Sequence, residues 1–162
     1  MRFGDRDPIP LPTTQLSDRV EWSLAETPDE IAAVSDDPPL DQLRAVNAYV
    51  SRICAYVEDV IDQWKSPTEF FLAKAGDCED HCVGKYALLR NIGWAADDLG
   101  VFAGRDIDGV GHALLGARIG PLVDGDIQIL DNRTPIIRPT TEAPWFTPFF
   151  GVNETNSWFY LG

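Results

Sequence analysis

Three residues of this chain have the types and order that thiol acyl chemistry requires. Gly76-Asp77-Cys78-Glu79-Asp80 places a cysteine where a glycine-marked loop turns into a helical pattern. A helix start carries unpaired backbone N–H groups and the positive end of the macrodipole. Both favour a thiolate over a thiol, and a thiolate is what a nucleophile needs. Of two histidines, His112 falls in the apolar segment Val110-Gly111-His112-Ala113-Leu114-Leu115. Downstream, Ile127-Gln128-Ile129-Leu130-Asp131-Asn132 alternates like a strand and ends in a carboxylate. Cys78 as nucleophile, His112 as base and Asp131 as the group that orients the base form a workable triad. Asp124 and Asp126 are weaker candidates for the orienter, because they flank a turn.

These residues need elements to hold them. Leu40, Leu43, Val46, Val50 and Ile53 recur at three- and four-residue steps, the mark of one buried helical stripe. Cys54, beside that stripe, reads as a small buried hydrophobe. Ser66-Pro67-Thr68-Glu69 has the capping-box form and predicts a short helix through Leu72. The main helix is expected from Asp77 or Cys78 to about Asn91, with Gly93 as its stop. Strands follow at Gly100–Gly104, Gly111–Arg118, Asp126–Asn132, a short Ile136-Ile137 piece, Phe149–Val152 and Ser157–Leu161. Helices first and antiparallel strands later make an α+β domain, its N-terminal helices packed on the sheet. Residues 40–162 form this domain. Residues 1–39 are broken by prolines 8, 10, 12, 28, 38 and 39 and read as an extended arm. It holds one short helix near Pro28–Ala33, with Thr27 as a cap.

Taken together, Gly76–Asp80, Lys85-Tyr86 on the same helix, the strand histidine and Leu130-Asp131-Asn132 resemble the bacterial transglutaminase-like cysteine proteinases. The approach Trp64-Lys65-Ser66-Pro67-Thr68-Glu69-Phe70 and the Asn153–Trp158 pattern extend the likeness across roughly residues 40–162. The resemblance implies a papain-like, transglutaminase-like core and a cysteine peptidase acting on a protein or peptide through the triad Cys78, His112, Asp131. It departs at His81 and Cys82, where the family carries an aromatic and then a small residue. His81 therefore reads as a ring stacked beside the site, and Cys82 as a packing residue. The family includes periplasmic, calcium-dependent proteases that release adhesins. By that likeness Asp77 and Glu79 are the calcium ligands, with Asp80 beside them. Adjacent carboxylates suit a hard cation. Without metal, Asp77 as N-cap and Asp80 at the third position would simply cap the helix. A cation would also relieve a conflict, since Asp77, Glu79 and Asp80 all raise the pKa of a neighbouring thiol.

Two other readings of the same residues stand beside the peptidase. The triad equally serves acyl transfer to an amine, as in transglutaminases. Cys78, His81, Cys82 and His112 are also zinc-ligand types, which would make a non-enzymatic binding module. Composition narrows the field. A net charge of −13 over 162 residues argues against nucleic acid, which is held by Lys and Arg. No run approaches the ~18 apolar residues of a membrane span. Three cysteines imply no disulfide framework. The N-terminus lacks an apolar signal core, so the periplasm implied by the family and the cytoplasm both stay open. Nothing in the sequence fixes an oligomeric state.

Overall fold

Local signals account for most of the elements in the computed structural model, which describes residues 1–10, 20–61, 63–121 and 126–160. In chain order these are β1 (Ile9–Pro10), α1 (Asp29–Ala32), α2 (Pro39–Ile53), β2 (Ala55–Tyr56), α3 (Pro67–Ala73), β3 (Ala75–Gly76) and α4 (Cys78–Asn91). Then come β4 (Leu99–Asp106), β5 (Gly111–Ile119), β6 (Asp126–Leu130), β7 (Arg138–Pro139), β8 (Phe146–Val152) and β9 (Ser157–Phe159). The result is the expected α+β arrangement. A seven-stranded antiparallel sheet runs β1-β9-β8-β4-β5-β6-β7. The candidate orienter Asp124 and Leu161 of the last expected strand lie outside the described residues.

α2 starts at Pro39, whose fixed φ and missing N–H suit a first helical turn. Its stripe of Leu43, Val46 and Val50 is fully buried. α3 carries the expected capping box: Ser66 Oγ accepts from Glu69 N at 3.1 Å, and Glu69 Oε2 accepts from Ser66 N at 2.8 Å. Lys74, at φ +53°, ends α3 abruptly in the left-handed region. That reversal lets β3 pair in parallel with β2, through Ala55 N to Lys74 O at 2.8 Å and Val57 N to Gly76 O at 2.9 Å. α4 is capped by Asp77 and Asp80 and closed by Gly93 at φ +105°. Its last carbonyls are satisfied by Gly93 N to Arg90 O and Trp94 N to Leu89 O, both 3.1 Å.

α4 is buried on nearly every side, packed between α2, α3 and the β4–β5 hairpin. Val101, Ala113, Leu115, Ala117, Leu130 and Val152 face it and share its core with Val20, Trp22 and Ile31. The opposite sheet face is covered by Phe3, Phe146, Trp158 and Tyr160 around Phe102, Leu114 and Ile129. Two glycines allow close packing near the helix start. A Cβ on Gly76 would meet Asp80 Oδ2 at 2.5 Å, and one on Gly84 would meet the Phe70 ring at 2.6 Å.

Two local expectations are corrected. α1 begins at Asp29 with Pro28 in the cap position, and no side chain caps it, so Thr27 does not serve. The short strand lies at Arg138-Pro139, immediately after the expected Ile136-Ile137 piece. Ile136 N donates instead to Thr134 Oγ1 at 3.2 Å, so that residue belongs to a turn. No described helix is long and apolar enough to cross a membrane.

Candidate active site

The β5–β6 ladder ends at Leu115 opposite Leu130, and beyond it the two strands part. His112 and Asp131 lie at this open end, one on each strand's continuation. The imidazole Nε2 and Asp131 Oδ1 are 2.9 Å apart, both side chains almost wholly buried. A carboxylate only accepts, so Nε2 carries the hydrogen and Nδ1 keeps the lone pair of a base. The Phe146 ring stands edge-on to the imidazole. Asp131 Oδ1 also accepts from Arg133 N at 3.0 Å. Burial pushes the Asp131 carboxyl up, but the His112 bond and the Arg133 amide outweigh it, and its pKa lies below the usual carboxylate value.

The start of α4 meets the same opening. The backbone of Ala113, the residue after His112, lies near enough to Cys78 to oppose part of the rise in its pKa. The helix that begins at Cys78 thus packs on the strand that carries His112, which is bonded to Asp131. The thiol itself donates to Glu79 Oε2 at 3.1 Å. Burial, then the charge and hydrogen bond of Glu79, push the Cys78 thiol up to about 12. At neutral pH Cys78 is therefore held as a thiol. The helix-start effect expected from sequence is outweighed by burial first and by the full charge of Glu79 second.

The other nearby residues fall into place. His81 is buried between the rings of Tyr56 and Phe70, with Nε2 3.4 Å from Ala55 O. Burial lowers its pKa to about 4, so it is a neutral packing ring. Cys54 and Cys82 are free, buried and packed in the core. Among the described residues Cys78, His81, Cys82 and His112 do not gather as ligands. The one group within metal reach is Asp59, Asp77 and Asp80. This removes the ligand set on which the zinc reading depended. Trp64 packs against the core and also lines a groove with Val60, Ile61 and Lys65. Asn153 ties the β8–β9 turn to the start of β4, donating to Ala96 O at 3.0 Å and Leu99 O at 3.1 Å.

Sequence reasoning missed two residues, Asp59 and Lys65. Lys65 Nζ lies 2.8 Å from Asp59 Oδ2 and 2.7 Å from Asp80 Oδ2. Lys65 lies in the Trp64–Phe70 stretch, but no periodicity or motif pairs it with Asp59 and Asp80.

Lys85 is fully buried, and its Nζ has no hydrogen-bond partner among the described residues. Burial lowers its pKa to about 8, against the nearby charges of Cys82 and Asp131. Below pH 8 the folded chain therefore carries a buried ammonium. Between pH 8 and the ordinary value of 10.5 the unfolded chain still holds a proton that the folded one has released, so stability rises with pH across that window. Lys85→Met is expected to raise the melting temperature at pH 7, by removing a penalty of roughly 2–3 kcal/mol. It should also flatten the rise between pH 8 and 10. Thermal melts of both chains from pH 6 to 10 check this. An unchanged slope in the variant would show that another group titrates there.

Comparison with known proteins decides the family. The family model for the bacterial transglutaminase-like cysteine proteinase, BTLCP, matches residues 19–161. The chain belongs to this family. Its fold is that of solved LapG from Legionella pneumophila: TM-score 0.74 at 27% identity, covering 81% of this chain and 74% of that one. Calcium-bound LapG matches with TM-score 0.74 at 28% identity over the same shares. EGTA-treated LapG matches with TM-score 0.74 at 27% identity, covering 81% of this chain and 72% of that one. No curated protein is matched by the sequence. The α+β core is thus a transglutaminase-like cysteine protease fold, and the family places a protein among its substrates.

Proposed function

We propose that this chain is a cysteine peptidase in which Cys78, His112 and Asp131 act as nucleophile, base and orienter. The observation that carries this reading is the 2.9 Å His112–Asp131 bond on a sheet end packed against the helix that begins at Cys78. With Nε2–H committed to Asp131, Nδ1 is left to take the thiol proton. Because Glu79 holds that proton at rest, the thiol must turn from Oε2 toward His112 as substrate enters. Sγ then attacks the scissile carbonyl carbon while its proton passes to Nδ1. The backbone N–H of Cys78, at a helix position with no intrahelical acceptor, suits the developing oxyanion. The imidazolium gives its proton to the leaving amine as the C–N bond breaks, and a thioester remains. Water, deprotonated by Nδ1, releases the acid and restores the thiol. Tyr56 of β2 and Val57, Val60 and Ile61 of the loop after it are exposed apolar side chains, a surface suited to an extended peptide.

Calcium-bound LapG poses the question of a metal here. Asp77 and Glu79 are the positions indicated by the resemblance, and Asp77 joins Asp59 and Asp80 in a carboxylate group. The residues do not fit an added ion as they stand. The Lys65 ammonium lies on Asp59 and Asp80, and Glu79 is hydrogen-bonded to the thiol. No step of the mechanism runs through a metal.

The test compares proteins incubated with the wild type and with Cys78→Ala, labelling new N-termini and adding a primary amine in excess. Cysteine-dependent new N-termini without amine incorporation are expected. Incorporated amine would favour acyl transfer over hydrolysis. Absence of both, on proteomes from several sources, would sink the peptidase reading.

A further inference from the structure

We infer that Lys65 is the built-in cation of this site and stands where a divalent ion would otherwise sit. The carboxylates of Asp59, Asp77 and Asp80 bring one oxygen each within 4.8 Å of one another. Asp80 is wholly buried, and a buried carboxylate needs a partner. Lys65 supplies that partner twice. Its main-chain N–H donates to Asp80 Oδ1 at 2.7 Å, and its ammonium lies 2.7 Å from Oδ2. The ammonium also spans both oxygens of Asp59, at 2.8 and 3.1 Å. The main-chain bond fixes the root of the side chain, so the ammonium is held in place by the fold.

Calcium would coordinate these same oxygens at about 2.3–2.6 Å. An ion there and the ammonium would lie almost on top of each other, two positive charges at close quarters. Occupation by one excludes the other. Asp80 Oδ2 also accepts from Asp77 N at 3.3 Å, the return bond of the helix cap. Burial opposes the charge on Lys65, yet the bonds to Asp59 and Asp80 outweigh it and hold the ammonium protonated well above its ordinary range. The consequence is that Asp59 and Asp80, the two carboxylates nearest that position, are paired from within the chain. A calcium ion at Asp59 and Asp80 is then not required, although a relative has been solved in calcium-bound form. This inference stands whether or not the site cleaves peptides, since its test does not read activity.

The full chain, stripped with EGTA, is titrated with calcium chloride by calorimetry and by thermal melting. The wild type is expected to give no saturable heat and no shift in melting temperature at millimolar calcium. Lys65→Met removes the ammonium and keeps the apolar stem. It is expected to melt lower in EGTA and to gain about 5 °C or more with calcium. Lys65→Arg should remain indifferent to calcium. Saturable calcium binding by the wild type overturns the inference, as does a folded Lys65→Met chain that gains nothing from calcium. If Lys65→Met does not fold, amine acylation of the wild type read by mass spectrometry decides. Lys65 should react slowly beside the exposed Lys74, at a rate calcium does not change. Acceleration by calcium would mean that the ion displaces the ammonium, and would overturn it.

Discussion

Cys78→Ala is expected to reduce cleavage of any identified substrate by roughly 10⁴-fold or more, to what the oxyanion donors and binding alone supply. The loss is this large because no other thiol can replace it. Cys82 is fully packed, and burial holds its thiol well above the ordinary pKa. Cys54 is likewise buried, and burial raises it to about 11. The variant should bind substrate and unfold in one transition like the wild type, since the thiol is shed from the rim of the core. Melting curves separate a lost nucleophile from a lost fold. A Cys78→Ala chain that still cleaves at the wild-type rate would remove this cysteine from the chemistry.

The second large effect is expected at the His112–Asp131 pair. His112→Ala should approach the loss seen for Cys78→Ala, because the thiol, pushed up to about 12, does not ionise at neutral pH without a base. Asp131→Asn keeps the shape but can donate to the ring, which would reverse the tautomer and put the hydrogen on Nδ1. A fall of about 10²–10⁴-fold in kcat follows, with KM little changed. The same carboxylate contributes to stability with a defined sign. Its folded pKa lies below the ordinary carboxylate value, so the contribution is present above that value and is lost as pH falls through the folded one. The stability gap between wild type and Asp131→Asn should therefore close in acid. Steady-state kinetics with pH-dependent melts check both halves. Equal kcat in the two chains would exclude Asp131 as the orienter.

These two expectations were available from residue order, and the reason is physical. Capping is local: Ser66 with Glu69 and Asp77 with Asp80 satisfy backbone groups three residues away, so a short window of sequence places both helix starts. The Gly93 stop and the alternating strands around His112 and Asp131 obey equally short-range rules. Where local competition was closest, the reading slipped. Thr27 lost its cap to Pro28, and Ile136 was drawn into a turn by Thr134.

The sequence by itself determined the α+β order of elements, the helix that begins at Cys78, and the histidine and aspartate that follow on adjacent strands. Only the tertiary structure decided how the charges around that cysteine are settled. It turned Glu79 onto the thiol, sealed His81 between two rings, and set Lys65 between Asp59 and Asp80. Electrostatics in a partly buried site depends on distances of a few ångströms between residues remote in the chain. Periodicity and capping carry no record of those distances, which the packing of α3, β2 and β3 against α4 creates.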